Sequence, residues 1–204
     1  MTVAVPSYPP GRGLLDGAGV VVTAAAGSGI GFATAKRCAE EGARLVISDI
    51  HERRLGEAVE RIQADTGVEA LGVLCNVTSE ADVEQLVATA AQHLEGIDVM
   101  INNAGLGGTA ELVDMADDQW MPVLDVTLNG TMRCTRAALR HMQSRGSGVI
   151  VNNSSVIGWR AQRCQSHYAA AKAGVMALTR CAALEAADHW VRINCVSPSF
   201  ANHP

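Results

Sequence analysis

The sequence predicts an α/β fold in which helices cover both faces of a doubly wound parallel sheet. Three observations support this prediction. Short runs of β-branched apolar residues alternate with longer segments of helical periodicity, which is the pattern of βα units. Most of these runs carry apolar residues on both faces, as strands buried between two layers of helices do. The composition, with 48% hydrophobic and 18% charged residues, is typical of a globular protein with a sizeable core.

The predicted elements alternate along the chain from the first strand to the last. The strands are expected near residues 20–24, 44–48, 69–75, 99–102, 148–152 and 191–196. The helices are expected near residues 30–41, 52–65, 80–95, 117–144 and 167–187. The third helix is the clearest, because apolar residues recur at helical spacing from Val83 to Leu94, and Thr78 or Ser79 can cap its start.

The length of 204 residues predicts a single domain, residues 14–204, preceded by an N-terminal arm, residues 1–13. The arm contains Pro6, Pro9 and Pro10, which disfavour a helix, and it lacks the basic start and apolar run of a signal peptide. No window approaches the roughly 20 apolar residues that a transmembrane helix needs. A cytoplasmic protein is expected.

Charge and residue spacing argue against several classes of function. The chain has 16 basic and 21 acidic residues, which leaves no broad basic face for nucleic acid. Its six cysteines show no C-x-x-C spacing and its six histidines no H-E-x-x-H, so no metal site is predicted. The cysteines are expected to be reduced thiols in the core.

A glycine-rich turn between the first strand and the first helix is the first candidate site. Residues 23–31 read T-A-A-A-G-S-G-I-G. Glycines allow a tight turn and let backbone amides approach a pyrophosphate at the helix N-terminus, although such a segment can also be only a turn. The candidate contacts to a cofactor are Ala25, Ser28, Gly29, Ile30 and Gly31.

Asp49 is the second candidate, because it stands at the end of the second strand, 18 residues after Gly31. A dinucleotide-binding fold places there the acid that bonds the adenosine ribose hydroxyls. Its charge would repel a 2′-phosphate, and the glycine-rich turn contains no Lys or Arg. The sequence therefore favours NAD over NADP, although an aspartate that only caps a turn or helix is the alternative.

Tyr168 and Lys172 are four residues apart on one face of the last predicted helix. A tyrosine titrates near ~10, and a neighbouring cation can lower that value enough for the phenol to exchange protons with a substrate oxygen. Such a pair is also common on surface helices. Ser155 lies 13 residues before Tyr168, just past the fifth strand, and completes a set of Ser, Tyr and Lys that favours a catalytic role for the pair.

Together with N-N-A-G at residues 102–105, after the fourth strand, these motifs resemble the short-chain dehydrogenase/reductase family. The resemblance covers residues 14–204 and implies a Rossmann-like fold. It implies that Tyr168 is the general acid/base, that Ser155 polarises the substrate oxygen, and that Lys172 binds the nicotinamide ribose and lowers the Tyr168 pKa. The further cofactor contacts that it implies are Asn76, Val77, Asn103, Ala104, Gly105 and Pro198.

The implied activity is NAD(H)-dependent hydride transfer between nicotinamide and a secondary alcohol or ketone. A steroid-derived hydroxy compound or a 3-hydroxyacyl thioester of lipid catabolism is the expected substrate class, and a homodimer or homotetramer the expected assembly. Two alternatives stay open. One is a catalytically idle dinucleotide-binding interaction protein, and the other is an isomerase or dehydratase on the same scaffold.

Three departures from the family pattern affect these expectations. Aligned on Gly29 and Gly31, the first glycine of the family falls at Ala25, so the turn is expected to be altered. Thr127 replaces an asparagine that helps to maintain a proton relay to the active-site lysine, so slower proton exchange is expected. The family continues past the sixth strand, so the chain is expected to represent part of a longer protein.

Overall fold

The computed structural model describes residues 8–199 and places six parallel strands in one sheet, in the order β3-β2-β1-β4-β5-β6. The first seven residues of the predicted arm and residues 200–204 lie outside the described part. The strands are β1 (Gly19–Thr23), β2 (Arg44–Asp49), β3 (Ala70–Leu74), β4 (Val99–Asn102), β5 (Gly148–Asn153) and β6 (Val191–Val196). The helices are α1 (Ile30–Glu40), α2 (Glu52–Thr66), α3 (Glu80–His93), α4 (Asp117–Leu124), α5 (Gly130–Arg145) and α6 (Ser166–Ala187).

Strand β1 lies at the centre of the sheet, between β2 and β4. The chain runs outward from β1 to β3 and then crosses back to β4, so the strand order reverses between β1 and β4. In sheets of this kind a ligand-binding crevice opens beyond the carboxyl ends of the strands at this reversal. Thr23, the last residue of β1, pairs with Ser48 of β2 and therefore stands at that crevice.

Two hydrophobic cores cover the two faces of the sheet. Val20 and Val22 of β1 pack with residues of α1 and α2, whereas Val21 between them packs with residues of α3, α5 and α6. All three side chains are fully buried. Since successive strand residues point to opposite faces, a strand covered on both sides must be apolar throughout. The doubly wound α/β fold predicted from the sequence is confirmed.

The helix predicted at residues 117–144 is divided. A π-helical segment, Asp125–Asn129, separates α4 from α5 and turns Thr127 into the interior, where its side chain is fully buried. A π segment accommodates an extra residue in a helix and occurs frequently at functional sites. The sequence analysis expected one continuous helix, although Pro122, three residues before this segment, disfavours an uninterrupted one. The cap of α3 is Ser79, which accepts a hydrogen bond from the Asp82 amide at 3.3 Å.

The described part of the predicted arm, residues 8–13, lies against α1. The Tyr8 hydroxyl donates to Glu40 at 2.6 Å. The Glu41 carboxylate accepts hydrogen bonds from the Arg12 amide at 2.7 Å and the Leu14 amide at 3.0 Å. These amides are the main reason that the pKa of Glu41 falls to about 2. In residues 8–199, no helix is both long enough and apolar enough to span a membrane.

Candidate active site

The structure brings Ser155, Tyr168 and Lys172 together at the carboxyl end of β5. Ser155 follows this strand, and Tyr168 and Lys172 lie one turn apart near the start of α6. The Lys172 amine is buried, donates a hydrogen bond to the carbonyl oxygen of Asn153 at 2.5 Å, and lies 5.6 Å from the centre of the Tyr168 ring. Helix α6 therefore places a phenol and an amine beside the strand end that carries the serine.

The environment shifts the pKa values of both side chains. Burial lowers the pKa of Lys172 to about 8. Burial also raises the pKa of Tyr168, while hydrogen bonding to Ser155 opposes this shift. The expectation that Lys172 lowers the Tyr168 pKa is therefore not met in this structure. The reason is geometric, since the amine of Lys172 is directed to Asn153 and not to the phenol oxygen.

Ser155 is held by a short 3₁₀ turn, Val156–Gly158, that begins at the next residue. Its hydroxyl accepts a hydrogen bond from the amide of Ile157 at 3.2 Å, and its side chain is largely buried. The carbonyl of Pro198 accepts a hydrogen bond from the Val156 amide at 3.1 Å. The segment after β6 therefore lies directly beside Ser155, which brings Pro198 to the predicted site.

A groove with a volume of about 400 Å³ runs along the crevice and joins several of the predicted cofactor contacts. Asp49, Asn76, Val77, Ala104 and Gly105 all line it. One oxygen of the Asp49 carboxylate accepts from the Ala26 amide at 3.2 Å, and the other accepts from the His51 amide at 3.0 Å. Burial raises the pKa of Asp49, and the hydrogen bond from Ala26 opposes this shift.

The glycine-rich turn differs from the alignment made on the sequence. Ala25 is fully buried, and its amide donates to the carbonyl oxygen of Ser48 at 3.0 Å. Ala24 instead lines the groove and has a positive φ of 50°, a conformation that favours glycine. The structure thus corrects the candidate contact from Ala25 to Ala24. Thr23 stays fixed at the end of β1, so the one residue by which this turn is longer than the family pattern lies between Thr23 and Gly29.

Asn103 and Thr23 fix the turn to the end of β4. The Thr23 hydroxyl accepts hydrogen bonds from the amides of Asn103 at 2.9 Å and Ala104 at 3.2 Å. The Asn103 side chain donates to the carbonyl oxygens of Thr23 and Ala24. Gly31 packs against the same point, since a Cβ there would lie 2.2 Å from the Ala24 carbonyl oxygen. Asn103 and Gly31 therefore shape the crevice through backbone contacts.

The residues present fit a nicotinamide dinucleotide. Helix α1 begins after Gly29 with no side-chain cap and no acidic residue in its first turn, so its amides and positive dipole end can face a pyrophosphate. Ser28 and Ile30 are exposed beside this helix start. The groove itself is lined by Asp49 at the end of β2 and by Gly105 after β4.

One residue at the site, Arg54, was missed by the sequence reasoning, and one contact, between Leu106 and Thr127, could not be predicted. Arg54, on the first turn of α2, lines the groove with its guanidinium 3.9 Å from the Asp49 carboxylate. Its position five residues after Asp49 could have indicated this, because α2 starts directly beyond β2. Leu106 also lines the groove, and both its amide and its carbonyl bind the Thr127 hydroxyl. No local sequence signal marks that contact.

The fold and the site together define a class of protein, an oxidoreductase built on a dinucleotide-binding sheet. The sequence model described as short chain dehydrogenase matches residues 19–203. The chain therefore belongs to the short-chain dehydrogenase/reductase family, whose members are enzymes that bind a nicotinamide dinucleotide.

Two relatives and one solved structure illustrate this membership. The chain is 59% identical over 194 residues to "(5R,7aS)-5-hydroxy-7a-methyl-1-oxo-2,3,5,6,7,7a-hexahydro-1H-indene-carboxyl-CoA reductase" of Mycobacterium tuberculosis (strain ATCC 25618 / H37Rv), covering 95% of this chain and 74% of that protein. It is 42% identical over 186 residues to cis-4-hydroxycyclohexanecarboxylate dehydrogenase of Sinomonas cyclohexanicum, covering 91% and 74%. The crystal structure of NAD+-bound xylitol dehydrogenase superposes with a TM-score of 0.88 at 34% identity, covering 92% of this chain and 72% of that one.

Proposed function

We propose that the protein is an NAD(H)-dependent oxidoreductase that transfers hydride between nicotinamide and a ring-borne secondary alcohol or ketone. The observation that carries this proposal is the convergence of Ser155, Tyr168 and Lys172 at the strand ends, beside a groove that contains Asp49. A ring substrate attached to a carboxylate or thioester is favoured by the names of the two relatives. Steroid-derived compounds of lipid catabolism belong to this class.

The proposed cofactor is NAD, because Asp49 presents a buried carboxylate where the adenosine ribose would lie. A carboxylate can accept hydrogen bonds from ribose hydroxyls, whereas it repels a 2′-phosphate. The similar xylitol dehydrogenase structure is described as NAD+-bound. The proposed contacts along the groove and its approach are Ala24, Ser28, Gly29, Ile30, Gly31, Asp49, Asn76, Val77, Asn103, Ala104, Gly105 and Pro198.

When bound, the nicotinamide supplies or accepts the hydride at its ring. We assign proton transfer to Tyr168, whose phenol gives a proton to the substrate oxygen during reduction and whose phenolate takes one during oxidation. Ser155 donates a hydrogen bond to the same oxygen, where negative charge develops. Lys172 would bind the nicotinamide ribose, and its pKa of about 8 would allow it to replace the proton that Tyr168 gives up.

A Tyr168→Phe variant tests this assignment. The substrate is cis-4-hydroxycyclohexanecarboxylate with NAD+, supplied both as the free acid and as its coenzyme A thioester, and the readout is NADH absorbance. We expect kcat to fall at least ~100-fold while the fluorescence titration with NADH is unchanged. Tyr8→Phe is the matched control, because Tyr8 is the other tyrosine of the chain and its hydroxyl contacts Glu40 of α1.

Three results would argue against the proposal. Full activity of Tyr168→Phe would remove Tyr168 from the reaction. Product formed without any change in NADH would favour an isomerase or dehydratase. NADH binding without turnover of any ring alcohol or ketone would favour a protein that only binds the dinucleotide.

We also propose that the enzyme assembles as a homodimer or homotetramer through α5 and α6. The support is a surface groove between these helices, lined by the apolar side chains of Met132, Leu139, Leu178 and Ala182 and by polar and charged ones that include Arg136 and Glu185. Interfaces between subunits combine apolar and polar side chains in this way. Light scattering after size-exclusion chromatography measures the assembly, and a Leu139→Glu variant is expected to shift it to monomers.

A further inference from the structure

Segment 156–165 connects Ser155 to the start of α6 and carries an exposed aromatic side chain; we call it the outer lip. Trp159 is 64% exposed, although a tryptophan is usually among the more buried residues. The guanidinium of Arg160 lies 5.8 Å from the centre of its ring. An indole and a guanidinium therefore stand together on the surface, four and five residues after the proposed active-site serine.

The backbone holds this pair in a fixed position. The Gly158 amide donates to the carbonyl of Ser155 at 2.9 Å, and the Arg160 amide donates to the carbonyl of Val156 at 2.8 Å. A Cβ on Gly158 would lie 2.9 Å from the backbone carbon of Lys172, so the turn packs closely on α6. Trp159 and Arg160 are thus tied to the same two elements that carry the proposed catalytic side chains.

The charge of Arg160 is uncompensated in residues 8–199. Arg160 forms no salt bridge in this part of the chain, whereas Arg163 on the same lip is paired with Glu111. The amide of Ala110 also donates to the carbonyl of Cys164 at 3.1 Å, so the outer lip is joined to the segment that follows β4. Arg160 therefore offers a cation to an anion from outside the chain, next to a flat aromatic surface.

We infer that Trp159 and Arg160 bind the adenine nucleotide end of a coenzyme A thioester substrate. A purine stacks on an indole, and a guanidinium binds phosphate through two parallel hydrogen bonds. The long pantetheine arm lets the ring alcohol lie at Ser155 and Tyr168 while the nucleotide lies on the outer lip. This inference rests on the proposed function, since it takes the reacting carbon to be at that site.

The test compares three forms of one substrate with NAD+. They are cis-4-hydroxycyclohexanecarboxylate as the coenzyme A thioester, as the N-acetylcysteamine thioester, and as the free acid. The reacting alcohol is the same in all three, and only the first carries the nucleotide. In a Trp159→Ala/Arg160→Ala variant we expect KM for the coenzyme A thioester to rise about tenfold, with kcat/KM for the other two within about twofold of the unmodified enzyme.

A matched variant, Trp190→Ala/Arg192→Ala, removes an exposed tryptophan and arginine at the opposite end of the sheet. It is expected to leave the kinetics of all three substrates unchanged. A second readout is inhibition by adenosine 3′,5′-bisphosphate at saturating NAD+. This compound is expected to compete with the coenzyme A thioester in the unmodified enzyme and to lose that effect in Trp159→Ala/Arg160→Ala.

The outcomes separate this inference from the proposed function. Equal kcat/KM for the two thioesters in the unmodified enzyme would overturn the nucleotide contact and leave the oxidoreductase assignment in place. An equal loss on all three substrates in Trp159→Ala/Arg160→Ala would also overturn it, because the pair would then support the ring or the fold of the lip. Turnover of none of the three would overturn both proposals.

Discussion

The hydroxyl of Thr127 is joined to the backbone of Leu106 by two hydrogen bonds. The Leu106 amide donates to the Thr127 oxygen at 2.9 Å, and the hydroxyl donates to the Leu106 carbonyl at 3.0 Å. The side chain of Thr127 is fully buried, and the π-helical segment directs it there. Thr127 therefore positions the segment that lines the groove after β4.

Replacing Thr127 by valine should destabilise the protein. Valine has nearly the same shape but removes both hydrogen bonds to the backbone of Leu106, so the free energy of unfolding should fall by about 1–3 kcal/mol. Thr127→Ser keeps the hydroxyl and should recover most of this loss. Urea unfolding of the unmodified protein, Thr127→Val and Thr127→Ser measures the change in free energy of unfolding. Equal midpoints for Thr127→Val and the unmodified protein would refute the structural role of the hydroxyl.

Asp49 and Arg54 are expected to control the choice between NAD and NADP. Asp49→Ser removes the charge that repels a 2′-phosphate and frees Arg54, whose guanidinium now lies 3.9 Å from that carboxylate. The ratio of NADPH to NADH affinity should rise at least about tenfold. Fluorescence titrations with both nucleotides measure the ratio, and Asp49→Ser/Arg54→Met should lose the gain. A preference for NADPH in the unmodified protein would contradict the role given to Asp49.

The buried amine of Lys172 should make stability depend on pH. Burial lowers its pKa to about 8 in the folded state, against about 10.4 in an unfolded chain. Below pH 8 the folded protein must hold a buried cation, and this cost is lost as the pH rises from 8 through about 10.4, above which both states are neutral. Lys172→Met should therefore gain up to about 3 kcal/mol of stability relative to the unmodified protein near pH 7, less the hydrogen bond that it loses.

The relative gain of Lys172→Met should shrink steadily between pH 8 and 10. Burial also raises the pKa of Cys38, to about 11, and of Cys75, to about 12. These thiols lower stability at high pH, but they do so in both proteins, so their effect cancels in the comparison. Chemical unfolding at several pH values provides the measurement, and a difference that does not change with pH would show that the folded state does not perturb the amine.

Ala24 carries backbone strain that a glycine would relieve. Its φ of 50° lies in the left-handed region, where a Cβ is disfavoured. Relief of this strain, less the greater freedom of glycine in the unfolded chain, should make Ala24→Gly more stable by about 0.5–1 kcal/mol. Ala33→Gly on the exposed face of α1 is the control, and it should lose about 1 kcal/mol. Equal losses in thermal unfolding would show that Ala24 is not strained.

Much of the fold could be predicted because its signals are local. The strand predictions lie close to the observed strands, and 99–102 and 191–196 coincide with β4 and β6. Buried parallel strands must be apolar on both faces, and the sequence shows this directly. The joint site of Ser155, Tyr168 and Lys172 was predicted from the resemblance to the short-chain dehydrogenase/reductase family, which these residues carry together with the glycine-rich turn and N-N-A-G.

The contacts that the sequence missed depend on residues far apart in the chain. The left-handed conformation of Ala24 follows from Thr23, which is fixed by amides of the segment after β4. The inward turn of Thr127 depends on Leu106, 21 residues earlier. Apolar periodicity by itself does not distinguish a π-helical segment such as Asp125–Asn129 from an ordinary helix.

The sequence by itself determined the alternation of strands and helices that builds a doubly wound sheet, the acid at the end of β2 and the Ser, Tyr and Lys set, since residue type and spacing encode these features. The tertiary structure alone decided the pKa values of those groups. Burial raises the Tyr168 pKa and lowers that of Lys172, because ionisation depends on the surrounding atoms and not on neighbours in the chain. It likewise placed Arg54 beside Asp49 and left the Trp159 side chain exposed, since only the folded chain determines what lies close in space.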